Sequence, residues 1–337
     1  MVFNNLVKLL KENNATIKPL YIETKDSQGT GLCNASILYS ENKIRVILRN
    51  VEYTLFHSEN EQLYQSRFEG PLSYYHKDND LSLRTYNFYL ELDENTLEII
   101  KYSKIDTSQL DTKPIWNFIG LEDARLTFWN NKYYLCGVRR DTTTTGQGRI
   151  ELSEIEINDD NVKEINRNRI EVQDKDSYCE KNWMPIKNRP FTFVKWTNPT
   201  EVVQVDLDSN LALPILLSNI YYDLPFDIRG GSQLISWNND QYLSIVHECN
   251  FIPKNYNGYK DAEYYHRFII WNSDLTINYI SENFNFMTAK TEFCIGLEQV
   301  NNDIIIIFGF QDNCSFIIKI CKDNLLNILN NKLKNCI

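Results

Sequence analysis

One short module recurs five times along this chain of 337 residues, and that recurrence limits the folds open to it more than any other feature. Each copy opens on a polar signature, runs as a short strand, turns, and ends as a second strand closed by polar residues. The copies span Cys33 to Asn50, Gly120 to Arg140, Glu180 to Pro199, Arg229 to Glu248 and Glu292 to Asp312. Clusters such as Glu41-Asn42-Lys43, Asn130-Asn131-Lys132 and Asn301-Asn302-Asp303 supply the turns, between runs rich in Val, Ile, Tyr and Phe. Five hairpins are therefore expected. Phe88 to Glu91, Ile150 to Ile157 and Phe268 to Trp271 also read as strands and would complete four-stranded units. The expected fold is all-β, a five-bladed β-propeller forming one domain over residues 1–337. Short helical segments are expected at Val2 to Asn13 and Leu325 to Lys334, where apolar residues fall at helical spacing.

In a propeller the innermost strands line a central axis, so equivalent positions of the repeats converge on one face. That geometry would gather Asn34, Glu122, Asp123, Arg125, Lys181, Asn182, Arg229, Ser232, Gln233 and Glu292. The second-strand ends Arg49, Arg139, His247, Glu248 and Asp312 would join them.

Charge narrows the partners. Forty-five acidic against 35 basic residues give a net charge of −10 with no Lys/Arg run, which argues against nucleic acid. Apolar runs such as Ile304 to Phe308 fall far short of the ~20 residues that span a bilayer, and no basic-then-apolar leader opens the chain. A soluble cytoplasmic protein without a membrane span is expected. The eight cysteines form no CxxC pair and read as buried thiols. The four histidines, His57, His76, His247 and His266, have no HExxH-type spacing, so neither a metal nor another cofactor is expected.

Glu122 and Asp123 beside Arg125 form the sharpest local constellation, because adjacent carboxylates near a guanidinium can hold different protonation states. The same residues also read as an ion pair bracing two blades. Lys181-Asn182-Trp183 combines a cation, an amide and an aromatic face suited to anions and sugar hydroxyls, although Trp183 also reads as packing. Tyr265, within Tyr264-Tyr265-His266-Arg267, reads either as a sugar platform or as part of an alternating strand. His247 reads as anion binder, acid/base or structural histidine. Glu248, Glu292 and Asp312 are candidates for a second carboxylate. TTTTGQG, from Thr142 to Gly148, lacks the strand-loop-helix context of a phosphate loop and reads as a hairpin tip. Arg229-Gly230-Gly231-Ser232 reads either as an anion cradle or as a close approach of backbones.

At these residues the chain resembles glycoside hydrolase family 130 and the related glycosyltransferase family 108. GLEDAR looks like the family's G-x-E-D-P-R, EKNWMPI resembles its E-K-N segment, and CNASI and LRN resemble its first blade. The resemblance implies a five-bladed propeller acting on mannosides with inversion. It implies Asp123 as the general acid, Asn34 and Arg49 contacting sugar or phosphate, and Lys181 and Asn182 lining the pocket. Ala124 replaces the family's proline, and the family's phosphate-binding His-Arg pair falls near Lys195-Trp196, with Lys195 or Arg139 as possible replacements. Inverting transfer from an activated donor, a sugar phosphate or a nucleotide sugar, to a glycan acceptor is therefore expected first. Phosphorolysis or hydrolysis is the second expectation, and a non-catalytic glycan-binding propeller the alternative from another class.

Overall fold

The computed structural model describes residues 3–27, 30–56, 73–76, 82–159, 161–173, 177, 179–238, 240–252 and 261–337. The Ile- and Val-rich runs form antiparallel meanders. In one sheet, Glu292–Val300, Asp303–Phe310 and Cys314–Cys321 lie in sequence order, and Thr16–Leu20 adds to the last of them. Thr16 pairs with Lys319 and Leu20 with Ser315, so strands from opposite ends of the sequence share one ladder.

A second sheet contains two such meanders. Gly31–Ser40, Lys43–Val51, Leu83–Leu92 and Ile99–Asp106 form one, and Glu122–Trp129, Lys132–Arg139, Arg149–Ile157 and Val162–Arg169 the other. They meet through two parallel residue pairs, Val162 with Ile105 and Lys163 with Asp106. A third sheet orders Met184–Pro185, Thr192–Thr197, Thr200–Asp206 and Leu211–Leu217, with Glu171–Val172 on its outer edge. In a fourth, Tyr242–Ile252 pairs with Asp261–Trp271, which pairs with Ile277–Ile280.

The apolar faces of these units pack on their sequence neighbours. One core joins Leu38 and Tyr89 to Leu126 and Leu135, the next Trp129 and Leu152 to Phe193 and Val203. Others join Val194 to Ile269, Ile245 to Ile306, and Ile307 to Val46. The last contact brings the final meander back to the first.

The turns form as the Asn clusters predict. Glu41, Asn42, Asn130 and Asn131 all have positive φ, the geometry of two-residue hairpin turns. The two expected helices form as Leu6–Glu12 and Lys322–Asn331, each displaced from its expected limits, and a third, short helix spans Thr24–Ser27. The first begins late because Asn5, at φ 67°, caps it and accepts a bond from the Lys8 amide at 3.0 Å. Both pack apolar residues into the core beside Phe284 and Ile318. Trp183 is buried against Phe193 and donates its indole N–H to Glu180, so it belongs to the core and offers no sugar platform. All eight cysteines are free, and no His, Cys, Asp and Glu cluster suited to a metal occurs among the described residues. His57 lies outside the described residues. Among them no helix is long and apolar enough to cross a membrane.

Candidate functional site

The repeat signatures are strained in a common way. Asn34, Asp123, Asn182 and Asp312 all adopt left-handed backbone, at φ 48°, 51°, 61° and 49°. Asn and Asp tolerate this region better than other residues with a Cβ. In the first hairpin the ladder breaks between Cys33 and Ser36, skipping Asn34 and Ala35. In the second, the residues skipped between Glu122 and Arg125 are Asp123 and Ala124. Asn34 and Asp123 thus occupy equivalent bulges, and a bulge re-aims a side chain that regular pleating would send elsewhere.

The two side chains meet. Asn34 Nδ2 donates to Asp123 Oδ1 at 2.9 Å and to Asp312 Oδ1 at 3.2 Å. Arg49 Nη1 donates to the same Asp123 oxygen at 2.8 Å, and its Nη2 stands 3.9 Å from Glu122. The buried Arg49 guanidinium is fixed from behind: Nη2 donates to the Tyr53 hydroxyl at 2.9 Å, and Nε and Nη2 donate to the Thr85 hydroxyl. Tyr53 and Thr85 lie outside the repeats' polar signatures, and no periodic signal in the sequence marks them.

Electrostatics separate the two aspartates. Burial pushes the Asp123 carboxyl up, but Arg49, Asn34, Arg125 and Lys181 outweigh it and hold the group below its ordinary value. Burial raises Asp312, and the neighbouring Asp123 and Glu122 carboxylates add to that, against Arg49 and Asn34. Of the two, Asp312 takes up a proton first as pH falls.

Arg125 braces the site from within the wall. Its Nε donates to the Gly231 carbonyl at 2.8 Å and its Nη1 to the Asp123 carbonyl at 3.0 Å. A Cβ at Gly230 would stand 1.8 Å from the Asn182 carbonyl oxygen, and one at Gly231 would stand 2.2 Å from that of Ile245. These glycines permit backbone contact, as their close-approach reading requires. Lys181 is exposed and forms no ion pair among the described residues, while Asn182 beside it is buried. Arg229 sits opposite His247 on paired strands.

Several expected site residues are committed elsewhere. His247 is buried and donates Nδ1–H to the Gly230 carbonyl at 2.8 Å. Burial, His266 and the cations Arg229 and Lys181 depress its pKa far below the ordinary histidine range, so it is neutral and offers no charge to an anion. Glu248 is fully buried, and its oxygens accept from Arg267 Nε at 2.5 Å and Asn283 Nδ2 at 2.9 Å. Glu292 is fully buried too, and accepts the backbone N–H groups of Phe286, Met287 and Ala289. Both therefore depart from the expectation of a second catalytic carboxylate. Tyr265 stacks on Phe226 and donates to Glu263. Arg139 is buried, paired with Glu151 at 2.7 Å and with Asp141 at 3.6 Å. Lys195 is paired with Glu201 at 3.1 Å and Glu180 at 4.0 Å. Neither residue presents an unpaired charge to phosphate.

The ring of antiparallel meanders is shared with solved structures of other proteins. The chain is similar in structure to a β-1,2-mannobiose phosphorylase from Listeria innocua, with a TM-score of 0.53 and 12% identity, covering 93% of this chain and 95% of that one. It is also similar to a GH130 structure described with glycoside hydrolases that target β-1,2 mannosidic linkages in Candida mannan, with a TM-score of 0.57, 12% identity and coverage of 86% and 84%. A mannose phosphorylase from Leishmania mexicana gives 0.50 and 11%, covering 98% and 96%. The chain has a GH130-like fold. No family model matches its sequence, and no curated protein does.

Proposed function

We propose that the chain is a single five-bladed propeller and an enzyme that transfers a mannose-like sugar, with inversion, from an activated donor to a glycan acceptor. Five meanders joined by five inter-unit cores support the blade count. The observation that carries the chemistry is the Arg49–Asp123–Asn34–Asp312 constellation, built around the bulges at Asn34 and Asp123.

In this reading the acceptor hydroxyl oxygen attacks the anomeric carbon. The bond to the donor's phosphate breaks with its electron pair, and the acceptor's proton passes to Asp123 directly or through a sugar hydroxyl. Arg49 keeps Asp123 ionised and ready to accept that proton. Lys181 supplies charge to the departing phosphate. Asn34 and Asp312 hold sugar hydroxyls. Phosphorolysis is the same step reversed when the donor is a sugar 1-phosphate, so one site serves both directions.

Hydrolysis is less well supported. It needs a second carboxylate to activate water, and with Glu248 held by Arg267 and Glu292 by backbone N–H groups, Asp312 alone of the three candidates stands near Asp123.

Wild type and Asp123→Asn should be incubated with mannose 1-phosphate, GDP-mannose and manno-oligosaccharides, and the products followed by mass spectrometry and NMR. Donor-dependent chain extension by wild type alone is expected. Phosphate-dependent shortening without extension from any donor would reverse the assigned direction. Sugar binding with no turnover of any donor would make the chain a glycan-binding module.

A further inference from the structure

Beside the aspartate site, between the two meanders of the second sheet, lies a cavity of about 270 Å³. Its cations are already paired. Arg139 faces Glu151 and Asp141, and Arg167 faces Glu164 and donates to Asp111 at 3.2 Å. Its acceptors are not all paired: Asp141 Oδ1, Asn87 Oδ1 and Ser153 Oγ form no hydrogen bond within the protein. Asp141 is 6% and Ser153 1% exposed, and both line the cavity together with the half-buried Asn87. Buried polar atoms ordinarily have partners, and surplus acceptors call for a donor. Ile119, Leu121 and Leu135 supply apolar wall.

We infer that this cavity binds a neutral hydroxylated ring compound, a single saccharide unit, at a site separate from Asp123. An anion is disfavoured because the guanidinium groups are neutralised and the unpaired atoms include carboxylate and amide oxygens. A sugar's hydroxyls donate to Asp141 and Asn87, exchange a bond with Ser153, and leave its C–H face against the apolar wall.

The cavity also adjoins the groups that set the aspartate site. Thr85 lines it and accepts from Arg49. Asp141 Oδ2 accepts the Gly120 amide at 3.0 Å, two residues before Glu122. Gly120, at φ 97°, has no room for a Cβ, which would stand 2.2 Å from the Thr85 carbonyl oxygen. A sugar seated here therefore touches the supports of both Arg49 and the Glu122–Asp123 turn.

Two-dimensional NMR of the full chain, titrated separately with mannose, inorganic phosphate and propylamine, tests the inference. Mannose should shift the amides of Gly120, Asp141 and Ser153 in wild type and equally in Asp123→Asn, so the result does not depend on the reaction proposed at Asp123. Ser153→Ala should weaken this binding about tenfold, the loss of one buried hydrogen bond. Thr112→Trp, at an exposed position on the cavity rim, should abolish it without touching the buried wall. Shifts confined to the surroundings of Asn34 and Asp123, shifts from phosphate or propylamine in place of mannose, persistence in both variants, or no response to mannose would each overturn the assignment.

Discussion

Arg49 donates to Asp123 across 2.8 Å, from the second strand of one repeat to the bulge of the next, and the same aspartate oxygen takes the Asn34 amide. This bond joins two meanders and, with Asn34, Arg125 and Lys181, holds the residue assigned to proton transfer below its ordinary pKa against burial.

Removing the guanidinium should therefore move the pH dependence. Asp123 must be ionised to accept a proton, so activity falls on the acid side as it protonates. In Arg49→Gln burial is no longer offset by the strongest opposing charge, and the acid limb of kcat/KM should shift to higher pH. Asp123→Asn should lower turnover about 10²–10⁴-fold while the protein still folds. An acid limb unchanged in Arg49→Gln would show that Asp123 does not govern it.

The two aspartates should affect stability with opposite sign. The folded pKa of Asp312 is raised, so its contribution is full below its unfolded value of about 3.9 and is lost as pH rises through the folded value. Asp312→Asn should thus raise Tm at pH 7 relative to wild type, with the gain vanishing in acid. The folded pKa of Asp123 is lowered, so its contribution is present above about 3.9 and is lost as pH falls through the folded value. Asp123→Asn should lower Tm at pH 7 and lose that deficit in acid. Thermal melts of both variants across pH decide the matter; shifts of the same sign would contradict it.

Glu248 and Glu292 should behave as structural groups. Glu248→Ala leaves Arg267 buried without its carboxylate and should cost about 3–5 kcal/mol. Glu292→Ala orphans three backbone N–H groups at 286–289 and should cost about 2–4 kcal/mol. Activity per folded molecule should stay at the wild-type level in both, measured with denaturation curves on the same samples. Full stability with lost turnover would return either residue to the chemistry.

Gly309 offers a test that leaves every charge in place. A Cβ there would stand 2.2 Å from Asn34 Oδ1 and 2.9 Å from its backbone nitrogen. Gly309→Ala should displace the amide that links Asp123 to Asp312 and cut turnover by about a hundredfold. Wild-type kinetics in this variant would remove Asn34 from the reaction.

Many of the strands and turns were legible in the sequence because they depend on local physics. Runs of Ile, Val and Tyr favour extended chain, and Asn pairs such as Asn130-Asn131 accept the positive φ of tight hairpins. Asn34, Asp123 and Asp312 were marked as polar residues within the repeats, and all three hold left-handed backbone in the fold. Tertiary structure decided which carboxylates face one another. Glu248 and Glu292 also stand in repeat signatures, yet Arg267 and the 286–289 backbone claim them, and no periodicity encodes those partners. It likewise decided that Arg139 and Lys195 are neutralised by Glu151 and Glu201, and that Thr85 and Tyr53 hold Arg49 in place. A side chain's type fixes what it can bind, but only the folded chain brings it the particular group that it does.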